Sequence, residues 1–309
     1  MSKAQVHLLR QILGAAGGKR PPLTKLRLNF DRLLSRFGGP EAATRPARLP
    51  GLHEEATAEW IDARPDSDAR AQRTILYLHG GGFALGSIDS HRGVVARLSQ
   101  EADAPVLSLG YRLAPEWPFP AAVDDACTAL TALLDAADGP RLDPSRLIVA
   151  GDSAGGGLAV MAVARRRDQG ASLPAALYLL SPWTDYAGTG DTLFAHADLD
   201  PLVQKDGLDD LARLYLGDVD PWDPKVCPLT ADLTGLPPFL IQAGGDETLL
   251  DDARRLHTCA LDAGVDSRLD IWPHMIHVWP LFASRLDEGQ EALEAVGRWI
   301  RERVVDRDG

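Results

Sequence analysis

From residue 74 onward, short apolar runs alternate with longer helical patterns, and this alternation restricts the chain more than any other feature of it. The runs are TILYLH (74–79), PVLSLGYR (105–112), RLIVAGD (146–152), AALYLLSP (175–182), PFLIQAG (238–244) and SRLDIWP (267–273). They are rich in Ile, Val, Leu and Tyr and too short to be stable helices. Helical spacing fills the stretches near 89–103, 121–137, 154–169, 249–264 and 282–305. Strands separated in this way by helices pair in parallel, so the pattern predicts an α/β fold with a mostly parallel central sheet flanked by helices. ATAEWIDA, just before residue 64, reads as an antiparallel edge strand.

Two segments fall outside the alternation. At the N-terminus, Val6, Leu9, Leu13 and Ala16, then Leu23, Leu26, Phe30, Leu33 and Phe37, recur at helical spacing on either side of GGKRPP. The second segment, about 186–236, lies between two strands and is longer than an ordinary connection. Both read as lids over the carboxyl ends of the strands, where open α/β sheets bind ligands. The expected organisation is an N-terminal helical cap segment over 1–50, then a catalytic domain over 51–309 that carries a second cap insertion at about 186–236.

Net charge is −12, which offers no footprint for nucleic acid or an anionic membrane over the chain as a whole. Residues 1–38 differ: eight lysines and arginines stand against Asp31 alone, a sum of +7 that leaves −19 on the remainder. Such a segment serves as a cap, its apolar stripe facing the site and its cations facing solvent or the acidic body, the preferred reading, or as a peripheral membrane anchor. Arg10 and Gln11 interrupt VHLLRQILGAA before a signal-like apolar core develops, and no apolar run reaches membrane-spanning length. A soluble, cytoplasmic protein is expected, without stable membrane insertion. Cys127, Cys227 and Cys259 are odd in number and far apart, so they suggest free thiols rather than a disulfide framework or a metal site.

RLIVAGDSAGGGLAV places Ser153 between a strand and a helix, with Gly151 and Gly155 two residues to either side. Small residues there permit a sharp turn that projects the serine oxygen from its tip, the arrangement of a nucleophile. YLHGGGFALGS supplies a bare loop in which His79 closes a strand before Gly80, Gly81 and Gly82. Amides of Gly81, Gly82 and Ala154 are the candidate oxyanion donors. The base is sought after the last strand, in WPHMIHVWPLF, where His277 is preferred over His274.

These motifs carry a resemblance that runs over nearly the whole chain. HGGGF (79–83), YRLAPE (111–116), FPAAVDD (119–125), GDSAGG (151–156) and HVWPLF (277–282), in that order, resemble the hormone-sensitive-lipase family of α/β-hydrolase esterases. The resemblance implies an α/β-hydrolase fold with a helical cap, and a serine carboxylesterase acting on short to medium acyl esters without a cofactor or metal. A small-molecule ester is the implied partner, and the family allows a homodimer. Many relatives carry the triad acid in a D-x-L-x-D pattern, which laid on ETLLD puts Glu247 in the first acidic slot. Asp246 and Asp251 are the alternatives, and Asp252 reads as part of a solvated helix start. The same triad would serve lactone, carbamate or amide hydrolysis, and a non-catalytic ligand receptor on the scaffold is a more distant reading.

Beside the nucleophile, Asp152 is expected to hold the turn by hydrogen bonds. Tyr111, Arg112 and Glu116 resemble the family's structural network near the glycine loop. Trp183, Asp185 and Tyr186 in SPWTDY are candidates for the rim of the site. Phe83, Phe30, Phe37, Trp183, Tyr186 and Trp279 are candidates for the substrate pocket, each weighed against a plain packing role.

Overall fold

The computed structural model describes Gln5, residues 21–66, Ala71, residues 73–135 and residues 142–304. Eight strands form one sheet: β1 (Ala43–Pro46), β2 (Thr57–Asp62), β3 (Thr74–Leu78), β4 (Val106–Gly110), β5 (Leu147–Asp152), β6 (Ala176–Leu180), β7 (Phe239–Gly244) and β8 (Ser267–Trp272). Their spatial order is β1-β2-β4-β3-β5-β6-β7-β8. The first two pairings, β1 with β2 and β2 with β4, are antiparallel, and every later one is parallel.

Helices cover both faces, which is why the strands read as continuous apolar runs rather than alternating ones. On one face, Leu76 and Leu78 of β3 join a core with α3 (Ala121–Leu134), α4 (Ala154–Asp168) and α7 (Leu250–Asp262), through Leu130, Leu158 and Leu256. On the other, Ile75 and Tyr77 pack with Val94 and Leu98 of α2 (Ile88–Ala102) and with Leu293 and Ile300 of α8 (Asp287–Arg303). Each fully buried aliphatic side chain contributes about 1.5–3 kcal/mol. Ala154 through Ala164 are all buried, so α4 has no polar stripe over that stretch and sits inside the core.

The glycine loop after β3, the turn after β5, and the loops after β6, β7 and β8 all leave the carboxyl edge of the parallel strands. Between β6 and β7 the chain makes its long excursion, which contains α5 (Thr192–Ala195) and α6 (Lys205–Leu216). Leu208, Ala212 and Tyr215 of α6 are buried in the first core. From the N-terminal segment, α1 (Leu23–Leu34) sends Arg27 onto the glycine loop's base: Nε donates to the Ala84 carbonyl at 2.8 Å and Nη2 to that of Ala114 at 2.7 Å. Its guanidinium also pairs with Glu116.

The sequence expectations and the structure differ in two places. Strand β1 lies inside the 1–50 segment read as cap; four residues ending in proline give no periodicity to detect, and only pairing with β2 makes them a strand. The helix expected near 282–305 is present as α8 but starts later, at Asp287, after a short 3-10 turn at Trp279–Phe282 that contains Pro280. The helical pattern of Val6, Leu9, Leu13 and Ala16 lies outside the described residues.

Candidate active site

Ser153 joins β5 to α4 with φ 52° and ψ −120°, a conformation that costs an L-residue roughly 1–3 kcal/mol. The turn is held on both sides: the Ser153 amide donates to Leu180 O, and its carbonyl accepts from the Trp183 amide, each at 2.9 Å. It also lies hard against the end of β3, where a Cβ on Gly155 would collide with the Leu78 carbonyl oxygen. The Ser153 turn and the glycine loop are therefore packed backbone to backbone.

Asp152, buried beside Ser153, ties the two turns together. Its Oδ1 accepts from the Tyr77 hydroxyl at 2.7 Å and from the Gly80 amide at 3.0 Å, while Nε2 of His91 stands 3.3 Å from Oδ2. Burial works against its charge, but His91 and the Tyr77 hydroxyl outweigh that and hold its pKa below the usual carboxylate value. His79 is also buried, stacked on Tyr111 with ring centroids 4.3 Å apart, and its Nδ1 bonds the Gly80 carbonyl at 2.8 Å. Burial and the neighbouring His91 lower its pKa to about 4. Gly81 and Gly82 take φ values of 117° and 62°, the left-handed region that glycine adopts without penalty. Among the described residues, the amides of Gly81, Gly82 and Ala154 donate to no protein acceptor.

His277 is 4 % exposed and places Nε2 3.0 Å from Ser153 Oγ. Nδ1 faces Oε1 of Glu247 at 3.9 Å, and neither atom has a hydrogen-bond partner among the described residues. That separation is too long for a hydrogen bond. The other carboxylate oxygen of Glu247 accepts from Ser181 Oγ at 2.6 Å and from the Gly244 amide at 2.9 Å. Burial opposes a charge on His277, yet the facing Glu247 carboxylate prevails and raises its pKa above the ordinary histidine value.

The remaining acids of AGGDETLLDD divide by position. Asp246 Oδ1 lies 3.8 Å from Nδ1 of His274, whose side chain is exposed, so this second acid–histidine pair stands away from Ser153's partner. Asp251 accepts from the Thr192 amide at 3.0 Å and pairs with Arg254. Asp252 does not belong to a solvated helix start. It is 1 % exposed, and its Oδ2 accepts from the Thr184 and Asp185 amides at 2.7 and 2.8 Å. Desolvation raises its pKa to about 7. Asp185 turns inward as well, accepting from amides at 187–189 and pairing with Arg255.

The aromatic pocket candidates are mostly packing residues. Phe83 is 1 % exposed and stacks on Tyr215 at 3.7 Å, with Trp183 and Tyr186 completing a buried aromatic cluster. Trp279 is fully buried in the other core, its indole N–H donating to the Glu288 carbonyl at 3.2 Å. Phe37 meets Phe282 edge to face, and Phe30 lies near His91. These side chains are occupied by one another because large apolar rings gain more from close packing than from an open wall. A cleft of about 360 Å³ lies behind the glycine loop, lined by Arg27, His79, Tyr111 and Trp117 among others, and does not include Ser153.

Several neighbours of the site went unread in the sequence. Ser181 is the first residue of SPWTDY, and Asp200 and His196 lie in the long excursion; Asp200 accepts from the Thr248 amide and His196 Nδ1 bonds the Glu247 carbonyl, both at 3.0 Å. Leu211 presses on Gly82, where an added Cβ would strike its side chain. Leu208, Leu211, Ala212 and Tyr215 share helical spacing, a signal that marks the inner face of α6.

Residues 75–281 match a protein family described as alpha/beta hydrolase fold. An acetyl-hydrolase of Streptomyces hygroscopicus is 41% identical over 303 residues, 97% of this chain and 97% of that one. An esterase of Acinetobacter venetianus is 32% identical over 305 residues, 98% of this chain and 95% of its own. The crystal structure of an esterase from the bacterial hormone-sensitive lipase family matches with a TM-score of 0.91 at 40% identity, over 99% of this chain and 100% of that one. The chain belongs to the α/β-hydrolase family and, within it, to the bacterial hormone-sensitive-lipase esterases. No helix among the described residues is long and apolar enough to cross a membrane.

Proposed function

We propose that this protein is a serine carboxylesterase acting on short to medium acyl esters. The observation that carries the reading is the 3.0 Å approach of His277 Nε2 to Ser153 Oγ on a strained strand-to-helix turn, with the Glu247 carboxylate behind Nδ1. Glu247 holds the proton on Nδ1, which leaves Nε2 free to take the serine proton as Oγ attacks the ester carbonyl. The tetrahedral oxyanion is met by the Gly81, Gly82 and Ala154 amides, donors fixed in advance and worth about 3–4 kcal/mol each by analogy with measured deletions. His277 then protonates the departing alcohol, activates a water against the acyl-enzyme and returns the proton to Ser153.

A preference for short acyl groups is supported by the crowding around the glycine loop. Leu211 lies on Gly82, and the neighbouring space is filled by the Phe83–Tyr215 stack. The name of the Streptomyces relative, an acetyl-hydrolase, points the same way. The test is hydrolysis of p-nitrophenyl esters from acetate to palmitate, with Ser153→Ala as control. A rate maximum among the short or medium chains that the substitution abolishes supports the reading. Absence of turnover with every member by folded protein overturns it.

A further inference from the structure

We propose that Ser181 is a positioning residue of the hydrolytic site, its hydroxyl clamping the acid to the backbone of the base. The inference rests on the assignment of Ser153, His277 and Glu247 above. Ser181 is fully buried at the carboxyl end of β6, between the strands that lead to the nucleophile and to the acid. Its Oγ donates to Glu247 Oε2 at 2.6 Å and accepts from the Val278 amide at 3.1 Å. Val278 directly follows His277, so one hydroxyl joins the carboxylate and the chain that carries the imidazole.

The geometry explains how this acts on Glu247. A carboxylate on a two-carbon stem has rotational freedom that an aspartate lacks. With Oε2 held by Ser181 Oγ and the Gly244 amide, rotation is stopped with Oε1 pointed at His277 Nδ1. The same clamp fixes the backbone next to the imidazole, so a movement of the base relative to the acid must break it.

The backbone at this position is unusual. Ser181 has φ 46° and Val278 has φ 47°, both in the left-handed region that disfavours L side chains. Glycine would adopt that conformation without strain, yet serine occupies it. A residue kept there for backbone reasons alone would be replaceable by glycine without loss. A residue kept for its hydroxyl would not.

Ser181→Gly therefore separates the two roles, because it removes the hydroxyl while easing the backbone. With p-nitrophenyl acetate, kcat is expected to fall about 10- to 100-fold, the range for losing a hydrogen bond to a charged group, with KM within about twofold and the fold retained by circular dichroism. In a Glu247→Gln background, the further loss of Ser181 is expected to cost several-fold less than in the wild type, since the carboxylate it positions is already gone and only its hold on the Val278 amide remains. Ser181→Cys, which keeps the side-chain size with a weaker donor, provides a second variant should the glycine form fold poorly, and its kcat is expected to drop in the same direction. A folded Ser181→Gly enzyme with wild-type kcat overturns the proposal, as does an equal loss in both backgrounds. Those results leave the Ser153–His277–Glu247 reading standing, whereas a fully active Glu247→Gln enzyme overturns that reading and the clamp with it.

Discussion

Glu247 Oε1 and His277 Nδ1 face each other across 3.9 Å inside the protein, and each lacks a hydrogen-bond partner among the described residues. Two buried polar atoms without partners are costly unless something brings them together. In the proposed reaction, charge arriving on the imidazole during proton transfer would supply that attraction. Glu247→Gln is therefore expected to lower kcat by about a thousandfold to ten-thousandfold, the scale of an amide replacing a triad acid. Asp246→Asn, beside the exposed His274, is expected to stay within a few-fold of wild type. Steady-state kinetics on p-nitrophenyl acetate decides between them, and the reverse order of effects would transfer the acid role to Asp246.

The pH profile follows from the same pair. The Glu247 carboxylate stabilises the His277 imidazolium against the opposing effect of burial, so the pKa of His277, the proposed base, stands above the ordinary 6.5. Protonation removes the acceptor lone pair at Nε2. Activity is expected to fall as pH decreases through that raised value, with the acid limb of kcat/KM centred above pH 6.5. A profile flat from about pH 5 to 8 would rule out His277 as base.

The glycine loop offers a third check. An Ala at Gly82 would place its Cβ against Leu211 in a backbone region hostile to side chains, at φ 62°. Displacement of one proposed oxyanion donor is expected to reduce kcat by about 100- to 1,000-fold while ester binding changes little. Single-turnover acylation rates measure the effect directly, and an unchanged rate would place the oxyanion donors elsewhere.

Asp252 makes a stability prediction with a definite sign. Its folded pKa is raised from 3.8 to about 7, because desolvation outweighs the amides that bind it. A raised folded pKa means that its favourable contribution is complete below the unfolded value and is lost as pH rises from there through about 7. An asparagine side chain in place of the acid keeps an oxygen for the Thr184 and Asp185 amides and never ionises. Asp252→Asn is expected to match wild type near pH 4 and to exceed it at pH 8 by up to about 4 kcal/mol as an upper bound, measured by urea denaturation. Equal stability at both pH values would show that the carboxyl is not strained by its burial.

Arg27 connects α1 to the structure that supports the glycine loop, through Ala84, Ala114 and Glu116. Arg27→Met keeps the apolar stem and removes those bonds. A loss of about 1–3 kcal/mol is expected, part of it from carbonyls left without donors. Glu116 is more than half exposed, so the ion pair itself adds little. Thermal unfolding monitored by circular dichroism tests this, and an unchanged midpoint would show that α1 is held by its apolar stripe alone.

The order of strands and helices, the turn around Ser153, the glycine loop and the two histidines after β8 are local in the chain, and the sequence determined them. Periodicity decides which face of each element is apolar, and glycines mark the places where backbone must approach backbone. What these features lack is distance. That Glu247 rather than Asp246 faces His277, that Asp252 is buried under Thr184 and Asp185, and that Ser181 reaches both Glu247 and Val278 all depend on neighbours carried by other elements, far along the chain. Four acids within seven positions have nearly the same chemistry, so no local pattern separates them; the crossing of loops from β6, β7 and β8 does. The aromatic residues show the same division. Their apolar character was legible, but whether Phe83 and Trp279 line an open space or fill a core is a matter of packing. Only the tertiary structure, by setting rings from distant elements against one another, decided it.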